Sequence, residues 1–376
     1  MKHVTKLLGA GLLASLATSA FALTIPAGWN STTGDFRITG ATAFRAAVNA
    51  AIPTVITVTD AANNGSGQGI WVGKLKSDNT TVVVIRTSFT GSIAGVDALV
   101  NSTPVSFLKT TATNASLVTE NLTANAAFSD ASQASAALVQ GNLASPSLSD
   151  TAAGVIVFRW VASPGSGLTN ATNYALVASL NAVGKVGLFT GADLSTAPGN
   201  VPVYVIGRDK SSGTRVSAFS VTGFGVASTP LQFSVTAGVA DLFNGTGESG
   251  YSSGGLVATA VATANPLSLT FNAGNPGYFV GYLGEADATT AIGLGAVPLT
   301  YNGVAYSRAN TAHGAYGFWA VEHLFDKGSL SGGAATAKTD LLAKLPAAIV
   351  TADAGVPIGD MQVDRANEAS APIPNI

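Results

Sequence analysis

Arg208 stands four residues before Ser212-Gly213-Thr214, in the stretch Gly207-Arg208-Asp209-Lys210-Ser211-Ser212-Gly213-Thr214. A guanidinium supplies fixed charge and a planar fork of donors suited to phosphate or carboxylate. Ser, Gly and Thr add hydroxyl and backbone N–H donors. These donors act together best at a helix start, where the first N–H groups are free and carry partial positive charge. The same three residues are ordinary cap and turn chemistry, so the stretch alone leaves both readings open.

The flanking residues favour the helix start. The apolar run Val201-Pro202-Val203-Tyr204-Val205-Ile206 precedes the stretch, and a helix is predicted after it. Three more junctions of this kind occur. Ile38-Thr39-Gly40-Ala41-Thr42-Ala43-Phe44 leads into a predicted helix over residues 42–52, with Phe44, Val48, Ala51 and Ile52 on one face. Ser88-Phe89-Thr90-Gly91-Ser92-Ile93 follows a β-branched run at 81–86. Ala127-Phe128-Ser129-Asp130-Ala131-Ser132 precedes an Ala- and Leu-rich helix over 132–139. If the four ends converge, they ring one anion with N–H and hydroxyl donors. Further strands are predicted at 154–161 and 278–283. The alternation implies an α/β architecture, with an all-β fold as the alternative.

The 376 residues suffice for two or more domains. Only 10% are charged and 47% hydrophobic, a globular composition sparing in charge. Lys2 and Lys6, the apolar stretch from Leu7, and Ala20-Phe21-Ala22 read as a signal peptide ending at Ala22. A membrane anchor is the alternative, but the apolar run is shorter than a span requires. Without residues 1–22 the chain has 16 basic against 20 acidic residues, which excludes nucleic acid or an anionic membrane as main partner. With no cysteine there are no disulfides, thiolate metal sites or lipidated cysteine. The expected product is a soluble periplasmic or extracellular protein without stable membrane insertion.

In order and wording, the four junctions resemble the periplasmic phosphate-binding proteins of ABC-type phosphate transporters, a type II periplasmic binding protein family. The likeness rests on residues 40–44, Gly91-Ser92, Ser129-Asp130-Ala131 and Arg208 with Ser212-Gly213-Thr214. Gly281-Tyr282-Leu283-Gly284 resembles a later segment of the family. The resemblance implies two α/β domains joined by crossover strands around an interdomain cleft: 23–133 with 281–376, and 134–280. It implies no enzyme activity, no cofactor, and two partners: inorganic phosphate or a similar oxyanion, and an ABC permease.

Carried over, Thr42, Ala43 and Phe44 line the ligand. Ser92, Ser212 and Thr214 donate hydroxyls, Phe44 and Gly213 backbone N–H groups, and Arg208 its charge. Asp130 accepts the proton of the anion, which sulfate lacks at neutral pH; a ligand without that proton leaves an oxygen against an unpaired charge. Two departures bear on specificity: Ala43 replaces a hydroxyl residue, and Lys210 an acidic one. Another oxyanion, a phosphorylated small molecule, or a surface protein that kept the fold and lost the ligand are the alternatives.

Plainer roles are also open. Asp130 would cap a helix, Arg208 would pair with Asp209 or a surface carboxylate, and Arg45 and Arg215 would be solvated. Tyr316, Phe318 and Trp319 are expected in the core. His313 and His323 are too far apart for a one-turn metal pair. Residues 163–167 read as a loop, 272–277 as a turn cluster, and 365–376 as a polar tail.

Overall fold

The computed structural model describes residues 22–65, 67–268 and 276–374. The expected signal peptide, Ala22 apart, and residues 272–275 of the turn cluster lie outside these. The principal elements are β1 (Asp35–Gly40), α1 (Arg45–Val55), β2 (Ile56–Asn63), β3 (Gln68–Leu75), β4 (Val82–Ser88), α2 (Ser92–Val100), β5 (Ala126–Ser129) and α3 (Gln133–Val139). They continue with β6 (Ser149–Ala162), β7 (Gly184–Lys185), β8 (Pro202–Ile206), α4 (Gly213–Thr222), β9 (Tyr278–Gly284), α5 (Glu285–Gly293), β10 (Trp319–Asp326) and α6 (Gly332–Thr351). The class is mixed α/β.

The predicted strands form within a few residues of their expected limits. β4 is buried along its whole length, which is why its apolar run does not alternate. On α1, Val48, Ala51 and Ile52 are buried as the periodicity requires. The helix begins at Arg45 rather than 42, because residues 42–44 form a turn in which the Phe44 N–H donates to Ala41 O at 3.3 Å. Tyr316, Phe318 and Trp319 are core residues.

One sheet organises the molecule, with strand order β7-β8-β9-β6-β10-β5-β1-β4-β3-β2. β1 is parallel to β4 and β5, and β8 is parallel to β9. Between these groups lie β6 and β10, each antiparallel to its neighbours. The two parallel groups therefore run in opposite directions. Ser129, the last residue of β5, is opposite His323, itself opposite Ala152. Gly284, the last residue of β9, is opposite Phe158. The carboxyl ends of both groups thus meet over residues 152–158 of β6. Helices start at these ends, and such ends are where open α/β sheets bind ligands.

Pairing sets residues 281–301 beside the second group: Gly281 pairs with Ile206, Val297 with Ala162 and Tyr301 with Ala171. The expected polar tail is partly built into the fold. Arg365 lies 3.9 Å over the Trp319 ring and donates to Trp319 O and Gly317 O. Glu368 accepts from Ser132 N and Ser135 Oγ. Among the described residues, no helix is long and apolar enough to cross a membrane.

Candidate anion site

Each of the four junctions places its polar residues at the meeting of the strand ends. In α4, Ser212 is the N-cap and its Oγ accepts from Arg215 N at 3.4 Å. Gly213 opens that helix directly against Asp130. A methyl group on Gly213 would lie 1.5 Å from Asp130 Oδ1 and 2.6 Å from Ser92 Oγ, so only glycine permits this approach. Gly91, just before α2, has φ +110°, a region favouring glycine. The two helix starts are joined directly, the Ile93 N–H donating to Ser211 O at 3.0 Å.

Asp130 lies at the centre. It does not cap α3; Ser132 does, accepting from Ser135 N. The carboxylate instead meets the starts of α2 and α4, where the Ser92 hydroxyl donates to Oδ1 and the Thr214 hydroxyl to Oδ2 at 3.4 Å. Asp130 is 1% exposed. Burial pushes its carboxyl above the usual range, opposed by the Ser92 hydrogen bond and the Arg208 charge.

Arg208 is 2% exposed, yet no carboxylate forms a salt bridge with it among the described residues. Its Nε donates to Tyr251 O at 3.0 Å and Nη2 to Ser252 O at 2.9 Å. These two carbonyls fix the guanidinium plane and leave Nη1 facing Thr42, with Oγ1 at 3.4 Å. The expected pairing with Asp209 is absent; Asp209 accepts from Ser211 N instead. Burial lowers the guanidinium pKa, offset by the charges of Asp209, Asp287 and Asp130.

The structure brings Ser92, Asp130, Gly213 and Thr214 into contact and sets Arg208 against Thr42, the Arg208 charge acting on the Asp130 carboxyl. Ala43 packs against the end of β9, its methyl 3.0 Å from the Cβ position of Gly284. The Phe44 N–H is engaged in its own turn, and the Phe44 ring packs on Phe128 with centroids 5.3 Å apart. Lys210 is exposed. Arg215, expected in solvent, is 9% exposed and donates through Nη1 to Arg208 O and Glu248 O. Arg45 donates to Thr42 O and pairs with Asp287 at 3.3 Å.

Tyr282 and Gln232 support Arg208 from behind and were not singled out in the sequence for this role. The Tyr282 hydroxyl accepts from Arg208 N at 3.0 Å and donates to Gln232 Oε1 at 2.6 Å. Gln232 Nε2 in turn donates to Arg208 O at 3.1 Å. A tyrosine in an apolar strand reads as core, and Gln232 sits in a loop without motif, so spacing gave no signal for either. A cavity of about 460 Å³ beside Phe89 and Thr90 includes none of the nine candidate residues in its lining.

The fold has a counterpart among solved structures. A phosphate ABC transporter substrate-binding protein with bound phosphate from Clostridium perfringens matches at TM-score 0.52, with 12% identity over 86% of this chain and 100% of that chain. The chain shares that protein's fold. Looser likenesses are an ABC-type phosphate transport receptor from Vibrio cholerae and PstS from Borrelia burgdorferi. The first has TM-score 0.47 and 16% identity over 86% of this chain and 100% of the other. The second has TM-score 0.41 and 15% identity over 85% of this chain and 97% of the other. No protein-family model matches the chain, and no curated protein matches its sequence.

Proposed function

We propose that this chain is an exported solute-binding protein that captures inorganic phosphate between the two halves of its sheet for delivery to an ABC permease. It performs no covalent chemistry. The observation that carries the reading is the convergence of Arg208, Asp130 and three helix starts from oppositely directed strand groups. In this reading the two strand groups that meet over residues 152–158 of β6 belong to two lobes.

In this reading the direct contacts between lobes are closure contacts. An anion entering between Ser92 and Gly213 takes over the two hydroxyl protons now given to Asp130. Asp130 then accepts the proton of the anion, and the Arg208 Nη1 donates from the Thr42 side. Bound ligand favours the closed arrangement because it is contacted from both lobes.

Calorimetric titration of the mature protein with phosphate, arsenate and sulfate tests this. Phosphate and arsenate are expected to bind and sulfate to be rejected. Asp130→Asn removes the proton acceptor, so phosphate weakens by about 10-fold or more and sulfate gains relative to phosphate. An unchanged selectivity ratio removes Asp130 from the site. A second reading rests on the Ser92–Asp130 and Ile93–Ser211 contacts, which tie the lobes together by themselves: a surface protein with this fold and no ligand. Absence of heat with all three anions after unfolding and refolding to strip bound ligand supports it.

A further inference from the structure

Glu322 of β10 is fully buried, and neither Oε1 nor Oε2 has a hydrogen-bond partner among the described residues. Its partner across β6 is Gly154, which brings no side chain. On the other side, His323 pairs with Ser129 of β5. One further step of that antiparallel register sets Glu322 opposite Asp130. Residues so opposed share a face, and like charges there repel. The β6–β10 register shifts between Glu322 and His323, an irregularity of the kind found beside functional sites.

We propose that Glu322 is a proton-holding member of the candidate anion site, keeping the Asp130–Glu322 carboxyl pair at a single negative charge so that an oxyanion is retained only while that proton is held. This rests on the anion-site reading above.

Two opposed, buried carboxyls do not both ionise, and their surroundings decide which one is charged. Asp130 accepts from two hydroxyls and faces Arg208, all of which favour its charged form. Glu322 has no such support; burial first, and then the Asp130 charge, push its carboxyl well above the usual range. The proton therefore belongs to Glu322. Around it, β6 contributes Gly154, Asp130 follows the end of β5, and Asp130 is the one charged group that acts on it appreciably among the described residues. Beside the Gly154 Cβ position lie Phe44, just before α1, and Ile349 of α6, both apolar. His323 bonds Asp150, and with Arg365 and Glu368 it lines a separate cavity of about 280 Å³ that Glu322 does not line. Once Glu322 ionises, a second negative charge stands at the anion site.

Glu322→Gln keeps the shape without the titration. Phosphate is titrated calorimetrically into the mature wild-type and E322Q proteins between about pH 6.5 and about pH 9.5, and the ratio of their affinities cancels the ligand's own ionisation. The wild-type-to-variant affinity ratio is expected to fall about tenfold or more as pH rises, as a new charge near a bound anion requires. A ratio that stays flat while both proteins bind phosphate overturns the proposal and leaves the anion site standing. If neither protein binds phosphate, arsenate or sulfate at any pH, the anion-site reading fails and this proposal with it. Should E322Q not fold, the wild-type protein is followed by infrared spectroscopy with and without phosphate. Loss of a protonated-carboxyl band on the same alkaline limb as phosphate release supports the assignment, and loss on a different limb refutes it.

Discussion

Gly213→Ala separates packing from chemistry at the centre of this site. The added methyl would lie 1.5 Å from Asp130 Oδ1. Reaching an ordinary contact requires the start of α4 or the Asp130 carboxylate to move by roughly 1.5–2 Å. Gly213 has no positive φ, so alanine is compatible with the backbone and improves helix propensity by about 1 kcal/mol. Overpacking opposes this by about 1–3 kcal/mol. Net stability should therefore fall by no more than about 2 kcal/mol, and the protein should still fold.

Binding should suffer far more. The shift carries Ser212 and Thr214 away from Asp130 and Ser92. Losing two hydrogen bonds to a charged ligand, at about 1.5–3 kcal/mol each, weakens phosphate by about 10²-fold or more. Calorimetric titration, with thermal unfolding as the control, reads both quantities. A variant that binds phosphate within about threefold of wild type would refute the argument that α4 closes on Asp130 through Gly213.

Two further perturbations test the supports of the site. Tyr282→Phe strips the hydroxyl that bridges Arg208 N and Gln232 Oε1 in a buried setting. Urea unfolding should show a loss of about 1–3 kcal/mol with an unchanged m-value, and a loss near zero would mean that the bridge is dispensable. Glu285 pairs with Arg159 at 3.1 Å, and burial raises its carboxyl to about 7. A raised acid stabilises the fold fully below its unfolded value of 4.5, and that contribution is lost as pH rises through about 7. Glu285→Gln should flatten this limb of the stability–pH curve, worth up to about 3 kcal/mol; an unaltered limb assigns it to other groups.

Local chemistry was legible wherever neighbours in sequence supply it. Ser132 and Ser212 cap helices because their hydroxyls reach an N–H three residues on. The apolar runs at β4, β8 and β9 form strands because burial on both faces suits β-branched residues. The order of the four junctions carried the expectation of one ring of donors; that the strand ends before them lie together follows from the sheet.

Charged residues show where sequence runs out. Arg215 and the residues around 365–368 read as solvated because their local patterns are polar; Arg215 is buried against carbonyls and Glu368 reaches a helix start 236 residues away in sequence. Glu322 sits in a strand where a lone acid reads as facing water. Its burial is decided by partners on β5 and β6, which are distant in sequence. The chain alone thus carried the expectation of export and determined an α/β alternation and four polar helix starts, because these depend on composition and on residues within a few positions of each other. Only the tertiary structure decided that the carboxyl ends of two opposed strand groups meet over β6, which carbonyls aim Arg208, and that a second carboxyl stands opposite Asp130, because register and burial are set by long-range pairing.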